Sequence, residues 1–277
     1  MIQDKRILIA GGAGSIGTEL TRQLGIKNKV FILDNDETRA FGLSEELKAQ
    51  GLWVDARIGD IRNRATVRDL FEDFKPQIII NAAALKHVSP SQRWAEEYVE
   101  TNIVGNMHLI HEAKRWECFE KYLFISTDKA VADDKNVMGA TKMCSETITR
   151  TMGPGFIAVR FGNVQGSRGS VYEIWAAQYR RLEPLTITDI RMQRYKMTIP
   201  EACTLVIEAI EQGTGGEVFI LDMGPLQKVI DWKNEVYGPD YPIKEIGMRP
   251  GESLTERLMT TDEEQRAIKN GNFWIIK

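Results

Sequence analysis

The chain has few cysteines, few histidines and no long apolar run. Its 3 cysteines, Cys118, Cys144 and Cys203, are far apart and form no C-x-x-C pair. That excludes a disulfide framework or zinc ribbon and leaves a reduced cytoplasmic protein as the expectation. No stretch approaches the length of a membrane span. The opening residues Met1 to Arg6 lead straight into a strand pattern and lack a signal-peptide core. The formal net charge of -3 lacks the basic excess of a nucleic-acid binder. His108 and His111 share a helical face, but no third ligand is near in sequence, so a polar helix surface accounts for them without a metal. Internal repeats, low-complexity segments and flexible linkers are absent, and Gly153-Pro154-Gly155 and Gly213-Thr214-Gly215-Gly216 read as turns. What remains is the composition of a globular protein, 43% hydrophobic and 27% charged over 277 residues, long enough for one large core with a small lobe.

The apolar pattern alternates between strand and helix. Arg6 to Ala10, Val30 to Leu33, Trp53 to Ile58, Ile78 to Ile80, Tyr122 to Ile125 and Phe156 to Phe161 read as strands. Helical patterns separate them at Ser15 to Leu24, Glu37 to Gln50, Ala65 to Phe74, Ala95 to Arg115 and Val137 to Met152. Continuous apolar strands joined by amphipathic helices predict an α/β fold with a parallel sheet covered on both faces. Beyond Phe161 the rhythm loosens: Ser170 to Leu182 and Pro200 to Glu211 read as helices, Leu185 to Thr188 as extended, and Glu217 to Leu221 as a returning strand. The tail from Pro225 reads as short helices and turns. The expected division is a nucleotide-binding unit of residues 1–165 and 199–224, and a small lobe of 166–198 and 225–277 over the sheet's carboxyl edge, where ligands bind in open parallel sheets.

Gly11-Gly12-Ala13-Gly14-Ser15-Ile16-Gly17 lies between the first strand and the first helix. Gly11 permits the tight turn, Gly14 the approach of a diphosphate and Gly17 the packing of helix on sheet, with Ser15 and Ile16 opening the helix whose N-terminus stabilises the anion. Asp34 ends the second strand at the spacing of a carboxylate that bonds the adenosine ribose. It favours NAD, because it repels a ribose phosphate; Arg39 lies nearby and would instead suit that phosphate, so NADP stays open. Asp60 and Ile61 are candidates to flank adenine. Ala82 and Ala83 would let the cofactor lie on the backbone, or equally serve close packing of helix on sheet.

Ser126-Thr127-Asp128-Lys129-Ala130 follows the fifth strand, and Met138 stands four residues before Lys142 on one helical face. Together with the glycine pattern, Ala83-Ala84-Leu85-Lys86-His87-Val88, Arg160-Phe161-Gly162-Asn163-Val164, Gly166-Ser167-Arg168-Gly169-Ser170, Ile187 to Tyr195 and Gly247-Met248-Arg249-Pro250-Gly251-Glu252, this resembles the extended short-chain dehydrogenase/reductases. More narrowly it resembles the nucleotide-sugar 4,6-dehydratases of bacterial surface-polysaccharide synthesis, which act on UDP-N-acetylglucosamine. Many longer members carry a membrane-spanning N-terminal region, which this sequence does not show.

The resemblance implies a Rossmann-type doubly wound sheet with a small C-terminal substrate lobe, a UDP-sugar substrate and a homodimer or larger assembly, with the helices near 95–115 and 137–152 as pairing surfaces. It implies a hydride removed at carbon 4, loss of water across carbons 5 and 6, and a hydride returned at carbon 6. Lys129 would be the base at carbon 5 and Asp128 the acid at carbon 6, which asks for a lowered lysine pKa and a raised carboxyl pKa. Thr127 would donate to the carbon 4 oxygen, and Lys142 would bond the nicotinamide ribose. Lys86 and His87 would position cofactor and sugar, Met138 would border the sugar, and Asn163, Arg194, Arg249 and Glu252 would hold the nucleotide side, the arginines as forks for a diphosphate.

Two departures stand out. Met138 occupies the position of a proton-handling tyrosine and cannot take or give a proton. Ser89 to Ala95 replaces a glutamate-rich turn expected to border the sugar, and brings Arg93 and Trp94 instead. A 4-epimerase or keto-sugar reductase is the alternative on this scaffold, but it leans harder on the missing tyrosine. A catalytically silent dinucleotide-binding module is a third reading, opposed by Asp128, Lys129 and Lys142.

Overall fold

The computed structural model describes residues 1–131 and 136–277; residues 132–135, inside the stretch from Ser126 to Lys142, lie outside the described residues. The first half alternates as the apolar pattern predicts. Strands β1 (Arg6–Ala10), β2 (Lys29–Asp34), β3 (Val54–Ile58), β4 (Ile78–Asn81), β5 (Lys121–Ile125) and β6 (Phe156–Arg160) are linked through helices α1 (Ser15–Gly25), α2 (Glu37–Ala49) and α3 (Arg64–Phe74), and then α4 (Val88–Ser91), α5 (Ala95–Tyr98), α6 (Gly105–Arg115) and α7 (Val137–Arg150). The second half holds β7 (Asn163–Gln165), α8 (Val171–Arg180), β8 (Leu185–Ile187), β9 (Gln193–Arg194), β10 (Lys196–Thr198), α9 (Ile199–Gln212), β11 (Val218–Leu221), β12 (Gln227–Lys228), α10 (Val229–Tyr237), β13 (Ile243–Glu245), α11 (Thr261–Arg266), β14 (Ile268–Asn270) and β15 (Phe273–Ile276).

Among the described residues the main sheet has nine strands in the order β14-β15-β11-β6-β5-β4-β1-β2-β3. From β3 to β11 all pairings are parallel. The chain winds outward in both directions from β1 and β4, so the crevice beyond their carboxyl ends is the place where an open α/β sheet takes its ligand. The inner parallel strands are buried on both faces, as their continuous apolar runs require, while the edge strand β3 is only partly buried. The tail differs from its expected pattern of short helices and turns. It contains α10 and α11, but β15 pairs antiparallel with β11 and β14 with β15, so residues 268–276 extend the main sheet.

The helix expected over 95–115 is continuous in course, but residues Val99–Val104 form a π turn. The wider turn helps turn Asn102 and Asn106 inward. Asn102 exchanges hydrogen bonds with both backbone groups of Leu85 and donates to Thr141 Oγ1 on α7. Asn106 accepts from Asn81 on β4 and from the Tyr122 hydroxyl on β5. This buried polar network fixes the loop after β4 against α7, and each member finds a partner for a group that would be costly to bury alone. The small lobe has its own core, built from Trp175, Leu185, Ile187, Met192, Val229 and Trp232.

Candidate functional site

The glycine loop is shaped by contacts that leave no room for side chains. Gly11 has φ +74°, and a Cβ there would stand 2.6 Å from the Ala83 amide nitrogen. A Cβ at Gly17 would stand 2.2 Å from the Gly11 carbonyl oxygen. Gly14 is different: a Cβ there would meet the Gly11 oxygen at 3.1 Å and, beyond it, only Arg168 Nη2 at 3.9 Å. That open side precedes the α1 N-terminus, which has no side-chain cap, so its free amides suit an anion. Asp34 accepts from the Ala13 amide at 2.9 Å through one carboxylate oxygen and from the Asp36 amide at 3.0 Å through the other. Each oxygen keeps a further lone pair. These groups, with Asp60, Ile61, Ala82 and Ala83, line a cavity of about 250 Å³. The residues fit the adenosine half of a nicotinamide dinucleotide.

Arg39 is not in that cavity. It pairs with Asp36 at 3.3 Å on the surface. Arg168 is there instead, from the segment that crosses back over the loop. Its amide donates to Ser15 Oγ at 3.0 Å, its guanidinium to the Ala13 carbonyl at 3.1 Å, and it faces Asp36 at 3.5 Å. Lys86 Nζ donates to the Arg168 carbonyl at 2.6 Å. Burial lowers the Lys86 pKa, with Glu173 opposing, and burial together with Lys86 lowers that of His87.

Ala82 and Ala84 continue into a central cavity of about 290 Å³, lined also by Ile16, Thr127, Lys129, Met138 and Lys142. Lys86, His87, Lys129 and Asn163 are shared with a third cavity of about 240 Å³ that holds Arg249 and Glu252. Glycine loop, Asp-Lys pair, Asn163, Arg249 and Glu252 thus border one continuous trough along the sheet's carboxyl edge.

Residues Asp128–Val131 form a single 3-10 turn directly after β5. Asp128 is fully buried, and its Oδ1 accepts from Thr127 Oγ1 at 2.9 Å and from Lys129 Nζ at 3.1 Å. Its Oδ2 makes no hydrogen bond, and Gly162 leaves room for it, since a Cβ there would stand 2.8 Å away. Lys129 Nζ also donates to Asn163 Oδ1 at 3.3 Å and to Glu256 Oε2 at 3.0 Å. Gly139 lets α7 pack on this turn, because a Cβ there would stand 2.2 Å from the Lys129 carbonyl oxygen.

The electrostatics reverse one expectation. Burial works to lower the Lys129 pKa, but Asp128 and Glu256 outweigh it and the pKa is raised. Burial works to raise the Asp128 pKa, but Lys129 and the hydrogen bonds outweigh it and the pKa is lowered. In the chain alone the pair is ionised, ammonium against carboxylate. The carboxyl with high proton affinity is Glu256, pushed up to about 8 by burial, with Lys129 opposing and Asp128 adding. The Lys142 amine is pushed down to about 7 by burial, with Glu146 opposing. Its Nζ donates to the Ile125 carbonyl at 2.6 Å. Met138 is buried beside it, and its amide donates to Ser91 Oγ at 3.2 Å.

Arg194 is not a free fork. Its guanidinium is spent on the carbonyls of Gln193, Ser253 and Leu254 and on Glu256 Oε1 at 3.1 Å. It clamps the segment that carries Glu256. Arg249 does have an exposed side chain, and its amide donates to Glu252 at 3.1 Å. Of the segment 88–95 only Val88 lines the trough; Arg93 lies over the Trp94 ring at 5.0 Å, and both are exposed. His108 Nδ1 lies 3.0 Å from the Ile61 carbonyl oxygen, which gives that histidine a structural partner.

A doubly wound sheet with a glycine loop at its switch point and an Asp-Lys pair beyond β5 defines an extended short-chain dehydrogenase/reductase. Within that class the chain belongs to the family described as polysaccharide biosynthesis protein, whose model matches residues 7–277. It is 38% identical over 278 residues to the capsular polysaccharide biosynthesis protein CapD of Staphylococcus aureus, covering 95% of this chain and 46% of that protein. The chain thus spans about half the length of that relative. It is 32% identical over 291 residues to the UDP-N-acetylglucosamine 4,6-dehydratase (inverting) of Campylobacter jejuni subsp. jejuni, covering 100% of this chain and 84% of that one. Relatives named UDP-glucose 4-epimerase, from Rickettsia, match at 30% identity. Among solved structures, Pen from Bacillus thuringiensis superposes with a TM-score of 0.90 at 36% identity, covering 99% of this chain and 88% of that one. No helix among the described residues is long and apolar enough to cross a membrane.

Proposed function

We propose that the chain is a nucleotide-sugar 4,6-dehydratase that converts a UDP-N-acetylhexosamine, UDP-N-acetylglucosamine first, to its 4-keto-6-deoxy derivative in surface-polysaccharide synthesis. The observation that carries this reading is the Thr127-Asp128-Lys129 chain of hydrogen bonds opening on the same cavity as Ala82 and Lys142. A bound NAD, or NADP, supplies a hydride acceptor at carbon 4 and a hydride donor at carbon 6. Asp34 favours NAD, since a ribose phosphate would face the carboxylates of Asp34 and Asp36 while Arg39 is turned aside.

The residues divide the proton work as follows. The carbon 4 hydroxyl gives its proton to Thr127 Oγ1 as Thr127 passes its own to Asp128 Oδ1. Asp128 starts ionised and ends as the neutral acid that elimination needs, so its low pKa suits the step. Lys129, having first given its ammonium proton to solvent, then removes the carbon 5 proton as the free amine. Asp128 protonates the departing carbon 6 hydroxyl, and the proton from oxygen 4 leaves in the water. Lys129 returns its proton to carbon 5 and regains one from solvent, and both groups are reset. Met138 needs no proton role in this circuit. Arg249 and Glu252 hold the diphosphate and uridine side. A homodimer or larger assembly in the cytoplasm, paired through the outer faces of the helices at 95–115 and 137–150, belongs to the same reading.

The test is incubation of the full chain with UDP-N-acetylglucosamine, and separately UDP-N-acetylgalactosamine and UDP-glucose, followed by mass spectrometry. Loss of one water from the first supports the reading. An epimer of unchanged mass would replace it with the 4-epimerase.

A further inference from the structure

We propose that Val171 and Lys86 select a hexose with an acetamido group at carbon 2, the valine by packing on its methyl and the lysine by donating to its carbonyl oxygen. The inference rests on the dehydratase reading, which orients the sugar, and adds the side chains that tell a UDP-N-acetylhexosamine from UDP-glucose.

Under that reading carbon 1, which bears the diphosphate, faces Arg249 and carbon 4 faces Thr127, so the ring bridges the nucleotide-side and central cavities. Carbon 5 faces Lys129. In a pyranose carbon 2 stands across the ring from carbon 5, so its substituent points away from Lys129. Among the described residues that border both cavities, Lys129 and Asn163 form one side, joined by a hydrogen bond of 3.3 Å. The others are Lys86, His87, Gly169, Val171 and Trp232. These make one wall. Lys86 Nζ donates to the Arg168 carbonyl at 2.6 Å, and the Gly169 backbone lies so close to the His87 ring that a Cβ there would stand 2.7 Å from it. Val171, two residues further on, opens α8. The carbon 2 substituent therefore meets this wall.

An acetamido group has an apolar end and a polar one, and the wall offers a partner to each. Val171 is half-buried and packs against the lobe core that contains Trp232. The Trp232 indole is held in turn: its Nε1 donates to Gln227 Oε1 at 2.9 Å, and its ring stacks on Tyr172 with centroids 5.9 Å apart. A β-branched side chain on such a support is stiff, so the methyl meets a surface already in place. Lys86 Nζ has made one hydrogen bond, to the Arg168 carbonyl, and keeps at least one further N–H for the acetamide oxygen. A hydroxyl at carbon 2, as in UDP-glucose, presents no methyl to the valine and no oxygen extended towards the lysine.

The test is calorimetric titration of the full chain with UDP-N-acetylglucosamine, UDP-glucose and UDP. The chain is loaded with NADH, which cannot accept the carbon 4 hydride, so binding is read without turnover. The wild type should prefer UDP-N-acetylglucosamine to UDP-glucose by about 10²-fold, one factor of about ten from the methyl and one from the carbonyl. Val171→Ala and Lys86→Met should each cut that preference to about tenfold. Val171→Phe, which fills the methyl's place, should abolish it. UDP reports the nucleotide side alone. A wild type that binds both sugar nucleotides alike overturns the proposal. So do variants that weaken UDP, UDP-glucose and UDP-N-acetylglucosamine by one common factor, which would make both side chains structural only. Mass spectrometry on the NAD-loaded chain separates this inference from the reading beneath it. Preferred binding without loss of water leaves the selectivity standing and the dehydratase reading fallen; loss of water without preference does the reverse.

Discussion

Lys142 hands its Nζ to the Ile125 carbonyl at 2.6 Å, and so ties the middle of α7 to the last residue of β5. The amine also lies 4.5 Å from the Phe124 ring centroid. Burial has pushed its pKa down to about 7 from 10.5, with Glu146 opposing. The sign of the linkage is then fixed. Between those two values the unfolded chain binds the proton and the folded chain does not, so stability rises with pH across that window. Below it both states are protonated, and the full cost of the buried ammonium is present. Lys142→Met removes this cost. Its melting temperature should exceed that of the wild type most at about pH 6, and the gap should close towards about pH 10, as read by calorimetry across that range. A gap independent of pH would show that Lys142 is protonated throughout.

The Thr127-Asp128 contact of 2.9 Å predicts an ordered loss of function. Asp128→Asn removes the proton acceptor without changing shape. Dehydration should fall by about 10² to 10⁴, the range of a positioned acid or base. Thr127→Val breaks only the relay and should fall less, with KM nearly unchanged. Quenched-flow assay of carbon 4 oxidation separates the steps, and full oxidation by Asp128→Asn would exclude Asp128 from deprotonating the carbon 4 hydroxyl.

Much of this site was legible in the chain, for reasons that are local. The glycine spacing, the apolar runs of β1 to β6 and the pair after β5 each depend on neighbours in sequence, and they lie where the pattern puts them. What stayed hidden depends on distant segments. Glu256 is 127 residues from Lys129, and no periodicity links them; its only signal is its place four residues past Glu252 at the end of a recognisable motif. Arg194 looked like a free fork because a guanidinium's partners are invisible when they are backbone carbonyls of another loop. Part of the raised Lys129 pKa was hidden for the same reason, since Glu256 adds to Asp128 against the burial of the ammonium. The short strand β14, Ile268–Asn270, is exposed along its length, so it carries no alternation to announce it. Arg93 and Trp94 lie against each other at the surface, a cation over a ring, and not along the trough where the pattern put them.

Arg168 joins the small lobe to the glycine loop through Ser15, Ala13 and Asp36. Its guanidinium is the positive charge nearest the open side of Gly14, where a diphosphate would lie. Arg168→Ala should weaken dinucleotide binding by about tenfold, the worth of a charge-assisted hydrogen bond. It should also speed release of cofactor during dialysis and leave the melting temperature of the cofactor-free chain nearly unchanged. Calorimetric titration with NAD checks the first effect. An unchanged Kd would confine Arg168 to bridging lobe and loop.

Arg160, on β6 and almost completely buried, ties α7 of the first half to the tail of the second. It donates through Nε to Glu146 on α7 at 3.2 Å and through Nη1 to Glu263 on α11 at 2.9 Å, with a further bond to the Leu258 carbonyl. The helix that carries Met138 and Lys142 is thereby locked to the segment that follows Glu256. Burial works to raise the Glu263 pKa, but Arg160 outweighs it and the pKa is lowered. A depressed carboxyl contributes stability above its ordinary pKa and loses it as pH falls through the depressed one. Glu263→Gln should therefore cost about 1 to 3 kcal/mol in urea unfolding at neutral pH. The cost stays below that of breaking an isolated buried pair because Glu146 still neutralises Arg160. The deficit should shrink in acid, once the wild-type carboxylate is itself protonated. A deficit that persists undiminished there would mean that packing at α11, and not the charge on Glu263, fastens the tail to α7.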